Sequence, residues 1–121
     1  MNRKGFNLVE IMLVIALIAV IIGIAIPAFV KARVISRARA CQENLTKIDG
    51  AKESWALSNN KSDGATVSLD TLVAEKYLKK KPICPTGSLY IVNPIGTPPQ
   101  CSSGLRGHNF NSIGKKYSDW E

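Results

Sequence analysis

The sequence predicts an α+β protein. One long N-terminal α-helix, half membrane-spanning and half amphipathic, packs against a small C-terminal head with a short helix and a small antiparallel β-hairpin or sheet. Three observations predict this. Residues 8–30 are almost wholly apolar, and apolar residues at helical spacing continue to about Ser58. From Ile83 onward the pattern changes to short strand candidates between turn residues.

The chain has 121 residues and a net charge of +7. That length suits one small domain plus an anchor or tail. The polar part, residues 31–121, is small for a self-sufficient core, so it should lean on a long helix, a disulfide or neighbouring subunits.

The apolar run is about 20 residues long, enough for one membrane-spanning helix at ~1.5 Å per residue. Glu10 sits at its edge. A carboxylate there is expensive and marks function by default. The alternative is a secretory signal peptide with Met1–Lys4 as its basic region. The run is longer than the usual ~7–15-residue apolar core of such peptides, and the best small-residue cleavage site, after Ala28, is poor.

Beyond Val30, the residues Val34, Ala38, Cys41, Leu45, Ile48 and Trp55 recur at steps of three and four, with one step doubled. Glu43 precedes Lys47 by four residues, the favourable order for a helical pair. Asn59-Asn60 and Asp63-Gly64 end the pattern. One helix from about Phe6 to Ser58, roughly 80 Å long, is expected. Pro27 removes one amide donor and presses on the carbonyl of Gly23, so a kink or melted turn is expected over Gly23–Pro27.

Ser68 can cap a second, short helix. Asp70 lies in its first turn, Lys79-Lys80-Lys81 near its end, and Pro82 stops it. Leu69, Leu72, Val73 and Tyr77 give it an apolar face. Leu89–Val92 is a strand candidate followed by the turn Asn93-Pro94-Ile95-Gly96. Pro98-Pro99 demotes the next residues to an irregular or edge segment. Phe110–Ile113 is a candidate for a further short strand, and Lys115–Glu121 carries no clear structural signal.

Cys84 and Cys101 flank the hairpin. A bridge would close a loop of about 18 residues and stabilise by roughly 3 kcal/mol on the chain-entropy model. A domain beyond the membrane lies where such a bridge persists. The alternatives are two separate thiols, or a zinc site with His108 and Cys41; the lack of any close Cys pair speaks against zinc. Cys41 lies on the apolar stripe and reads as a buried inert thiol.

Lys31, Arg33, Arg37 and Arg39 follow the membrane run and are placed to touch lipid head groups. Weighed against Arg3 and Lys4, they would put the domain in the cytoplasm under the positive-inside rule. Lys79, Lys80 and Lys81, with Tyr77 and Tyr90 for stacking, are the candidate nucleic-acid contacts, although no nucleic-acid-binding motif is visible. No constellation supports catalysis. The lone His108 has no nucleophile motif around it and reads as solvated or locally hydrogen-bonded.

The stretch Arg3-Lys4-Gly5-Phe6-Asn7-Leu8-Val9-Glu10, followed by the apolar run with Pro27, resembles the type IV pilin and type II secretion pseudopilin superfamily. The resemblance covers residues 3–30, with Asn7 where Thr is commoner. It implies cleavage by a prepilin peptidase between Gly5 and Phe6 on the cytoplasmic side, then N-methylation of Phe6. That orientation overrides the charge rule. The implied organisation is a leader (1–5), a transmembrane and filament-core helix (6–30), its amphipathic continuation (31–60) and a head (61–121).

The resemblance also implies a homo-oligomeric helical filament. It would be built from single-pass inner-membrane subunits by an inner-membrane assembly platform and end in the periplasm or at the cell surface. Phe6, Glu10, Gly23 and Pro27 would serve assembly, with Glu10 facing the Phe6 amine of an adjacent subunit. The segment from Cys84 to Tyr90, with Cys101, resembles the cysteine-hairpin head of some small pilin-like proteins. Nothing matches the calcium-binding loop of major pseudopilins, so no metal and no cofactor are expected. The implied role is a structural filament subunit. The alternatives are a pseudopilin acting as a periplasmic secretion piston, and a DNA-binding uptake pilin.

Overall fold

A computed structural model describes residues 5–120. Met1–Lys4 of the expected leader, including Arg3 and Lys4, and the last residue, Glu121, lie outside the described residues. The chain divides into two compact units, Met1–Val34 and Ile35–Glu121. Helix α1 spans Leu8–Ser58 and α2 spans Leu69–Ala74; β1 is Tyr90–Ile91 and β2 is Gln100–Cys101. Two single 3-10 turns follow at Phe110–Ser112 and Tyr117–Asp119.

In the first unit α1 begins at Leu8, two residues later than expected, where the Asn7 carbonyl accepts from the amides of Glu10 and Ile11. The helix runs through Gly23 and Pro27 without interruption. The melted turn expected there is absent, because the turns on both sides keep their bonds and one missing donor does not open the helix. Its apolar side chains from Leu8 to Val30 are exposed, and the helix is long and apolar enough to cross a membrane.

In the second unit the expected stripe becomes the core. Cys41, Leu45, Ile48, Ala51, Trp55 and Ala56 of α1 pack with Val67, Leu69, Leu72, Cys84, Tyr90 and Ile95. Each large apolar side chain so buried contributes about 1.5–3 kcal/mol. Burial begins at Ala38, while Val34 stays exposed. The doubled step between Ile48 and Trp55 is filled by Lys52. It is fully buried, and its ammonium donates to the carbonyls of Asn93 (3.0 Å), Pro94 (3.4 Å) and Thr97 (2.6 Å).

Both helices end without glycine. After α1, Asn60 adopts φ 52°, with the Lys61 amide bonded to the Ala56 carbonyl at 2.9 Å. After α2, Lys76 adopts φ 64°, with the Tyr77 amide on Leu72 (2.9 Å) and its own on Val73 (3.1 Å). This paired pattern satisfies carbonyls that a helix end leaves free. Ser68 caps α2 as expected, accepting from the Thr71 amide at 3.1 Å. The helix is shorter than expected, however. It closes at the Lys76 turn, so Lys79–Lys81 and Pro82 lie beyond it rather than at its end.

The sheet is a two-stranded antiparallel pair in which Tyr90 faces Cys101 and Ile91 faces Gln100. Between the strands, the Thr97 amide donates to the Pro94 carbonyl at 3.0 Å with Gly96 at φ 91°. That backbone suits glycine at the third turn position. The strand expected at Phe110–Ile113 is instead a 3-10 turn. Asn109 caps it, its side chain accepting from the Ser112 amide (2.8 Å) and hydroxyl (2.7 Å). The C-terminal segment is also ordered by contacts that no local pattern announces. Trp120 is buried, Arg39 stands over its ring at 4.9 Å, and Arg106 Nε donates to its carbonyl at 2.9 Å.

Candidate functional site

Two regions carry the candidate functional residues. In the N-terminal unit, Gly5 and Phe6 precede the helix and Glu10 lies in its first turn, all exposed. Gly23 and Pro27 are also exposed, on the same apolar helix. A first-turn carboxylate suits the helix N-terminus, but at the edge of a membrane-length apolar run it is expensive without a counter-charge.

In the head, four separate segments converge. Cys41 comes from α1. Cys84 opens a tight turn in which the Gly87 amide bonds to its carbonyl at 2.8 Å. Cys101 ends β2. His108 follows Gly107, whose φ of 81° and close contact with Trp120 leave no room for a side chain. The three Sγ atoms and a ring nitrogen of His108 all lie within 4.8 Å of one another. Cys84 Sγ is 3.4 Å from His108 Nδ1.

The bridge expected between Cys84 and Cys101 is not formed in the structure, where all three cysteines are free thiols. Cys41 and His108 enter the same space, so the chain assembles four donors rather than a pair. Of the two expected states of His108, solvated or locally hydrogen-bonded, the structure has the second: it is only 4% exposed and lies against Cys84. Cys41 is buried as expected but is not isolated.

The environment tunes these groups unequally. Burial pushes the Cys41 thiol well up, against the Tyr90 hydroxyl that bonds it. Burial also acts upward on Cys84, but hydrogen bonds from Thr86 and the neighbouring thiols outweigh it and hold this thiol below its ordinary value. Burial lowers the pKa of His108. Hydroxyls lie against two of the sulfurs, Thr86 Oγ1 at 3.0 Å from Cys84 and Ser103 Oγ at 3.3 Å from Cys101.

The basic candidates are dispersed differently. Lys79, Lys80 and Lys81 border an open groove of about 790 Å³ together with Lys47 and Tyr77. Lys81 is paired with Asp70 at 3.4 Å. Tyr90 is buried and its hydroxyl accepts from Asn44 at 3.1 Å, so it is not available for base stacking. Arg39, expected at lipid head groups, instead donates to the Lys115 carbonyl at 2.6 Å and lies over Trp120.

Sequence reasoning missed Lys52 and Gln42. Gln42 is buried and donates to the Gly107 carbonyl at 2.7 Å, fixing the residue before His108. For the cysteine cluster the available signal was the odd cysteine count beside a lone histidine.

The chain is 32% identical over 92 residues to the competence protein ComGC of Bacillus subtilis (strain 168), an alignment covering 76% of this chain and 91% of that protein. It is 29% identical over 87 residues to the ComG operon protein 3 homolog of Bacillus licheniformis, covering 72% and 87%. No family profile matches the chain, and no solved structure does. The similarity runs through most of both relatives and agrees with the α+β architecture of an exposed apolar helix and a small head. The chain belongs to the ComGC family of type IV pilin-like proteins, and is a structural subunit rather than an enzyme.

Proposed function

We propose that the chain is a prepilin that polymerises through its N-terminal helix into a type IV pilus-like filament. The observation that carries this is Glu10, exposed in the first turn of a helix whose membrane-length apolar run, Leu8 to Val30, is unburied. Cleavage after Gly5 would free an ammonium on Phe6 and remove Arg3 and Lys4. Glu10 then gains a partner in the Phe6 amine of an adjacent subunit. In a low-dielectric surrounding that pair attracts strongly, and an unpaired Glu10 is costly, so assembly is favoured and its register is set. Exposed apolar side chains from Leu8 to Val30 would pack against neighbouring copies, with Gly23 and Pro27 loosening the helix as they do so. Before assembly the subunit would sit as a single-pass membrane protein with its N-terminus inside.

The test is the intact mass and N-terminal sequence of the protein recovered from cells. A chain beginning at Phe6 and carrying one added methyl supports the proposal. A chain beginning near Phe29 means an ordinary secreted domain and overturns it.

The name of the Bacillus subtilis relative, a competence protein, favours DNA uptake over a secretion piston as the setting of this filament. Lys79 and Lys80, exposed beside the Lys47–Tyr77 groove, are the contacts this reading would use. Phosphate neutralisation by such lysines is electrostatic and sequence-independent.

A further inference from the structure

Three of the four donors in the head cluster are buried, and each comes from a different segment. The fourth, Cys101, is half-buried. A disulfide would use two of the cysteines and leave a third buried thiol and a buried imidazole beside it with nothing to do. A single tetrahedral ion uses all four. Zinc bound at about 2.3 Å from sulfur and about 2.0–2.1 Å from nitrogen places its donors roughly 3.5–4 Å apart. The donors here lie within 4.8 Å of one another, so closure needs only a small inward movement of side chains.

We propose that Cys41, Cys84, Cys101 and His108 form a structural zinc site that pins the head to helix α1. Three thiolates and one neutral imidazole are a donor set that selects zinc among the common divalent ions. Binding releases three thiol protons to solvent and leaves the site with one net negative charge. Thr86, Ser103 and Tyr90 place hydroxyls against the three sulfurs, where they can support thiolate charge and fix ligand orientation. All four protein ligands are present, which leaves no open coordination position; that is the arrangement of a structural site, not a catalytic one. The ion would join α1, the Cys84 turn, the end of β2 and the His108 loop, in a head whose sheet has only two short strands. This inference is independent of filament assembly.

The experiment uses the full chain purified in detergent without chelator, and a phosphine reductant is added only after a first round of alkylation. Elemental analysis should find about one zinc per chain. Replacement by Co(II) should give the intense visible bands of a tetrahedral thiolate site. All three thiols should resist alkylation until a chelator is added. Cys41→Ser and His108→Gln should each weaken zinc binding at least 10-fold, about the smallest loss caused by altering residues that merely support ligands. Three outcomes overturn the proposal. The first is no zinc with one alkylatable thiol before reduction, which is the disulfide. The second is no zinc with three reactive thiols. The third is zinc retained undiminished by His108→Gln. If the variants fail to fold, the zinc content and cobalt spectrum of the unaltered chain decide alone.

Discussion

The indole of Trp120 occupies the space that a side chain on Gly107 would need: an added Cβ would fall 2.2 Å from its Cε3 atom. Gly107 also holds φ 81°, a region that L side chains rarely adopt. Gly107→Ala should therefore destabilise the head by about 2–4 kcal/mol, combining backbone strain with overpacking. Chemical denaturation followed by tryptophan fluorescence measures this. A variant as stable as the parent would mean that Trp120 does not dock there.

Lys52 is the buried cation that holds the hairpin turn. Lys52→Met keeps much of the volume but leaves three carbonyls without their donor, and should cost about 2–4 kcal/mol. Its pH signature has a definite sign. Burial holds the ammonium below its ordinary pKa, so between that lowered value and about 10.5 the unfolded chain binds more protons than the head. Stability from this group is present in full above the unfolded value and is lost as pH falls through the folded one. Denaturation midpoints of the parent, minus those of Lys52→Met, should rise with pH across that window. A flat difference would show that Lys52 is not buried.

Lys76 closes α2 in a left-handed conformation that suits glycine better than lysine. Its side chain is exposed, so Lys76→Gly gives up little packing. That change should stabilise the head by about 0.5–1 kcal/mol. A loss of stability in thermal melts would mean that the turn after Ala74 is built differently.

Glu10→Ala should leave membrane insertion intact while reducing filaments recovered by shearing and imaged by electron microscopy to a small fraction of the parent. Normal filament yield would sink the proposed pairing with the Phe6 amine. Cell fractionation of the same variant separates failed assembly from failed insertion.

If the filament handles DNA through the head, the retention of duplex DNA by the purified protein should fall steeply with added salt. Changing Lys79 and Lys80 together to Gln should lower both affinity and the salt slope, the latter by about 2 if each lysine meets one phosphate. Lys81 is the poorer candidate because Asp70 already neutralises it. Unchanged retention would remove these lysines from any such role.

Much of this architecture was legible because it is periodic or locally signalled. Helix α1 announced itself by the apolar run and by the stripe from Val34 to Trp55, of which Val34 alone stays exposed, and Asn59-Asn60 marked its end. Ser68 announced α2, and the Asn93–Gly96 turn announced the hairpin. The elements that escaped have no period to read. A three-residue 3-10 turn at Phe110–Ser112 is too short to show one, and Phe110 and Ile113 then pass for strand residues. Lys52 reads as a polar gap in a stripe, although its alkyl stem fills the core position and its head finds carbonyls across the fold. The Cys41, Cys84, Cys101 and His108 cluster is made only by tertiary proximity. Zinc-ligand spacing rules rest on close pairs, and this chain draws its ligands one at a time from distant segments.

Loops of the head are recognised by their main chain. Lys52 donates to the carbonyls of Asn93, Pro94 and Thr97, Gln42 to Gly107, Asn44 to Ile83, and Arg39 to Lys115. Arg106 does the same with Ser118 and Trp120. A carbonyl is common to every amino acid, so, Gly107 apart, these anchors do not depend on which side chain a loop carries. The outward face of each loop can therefore drift under selection while the scaffold beneath stays fixed.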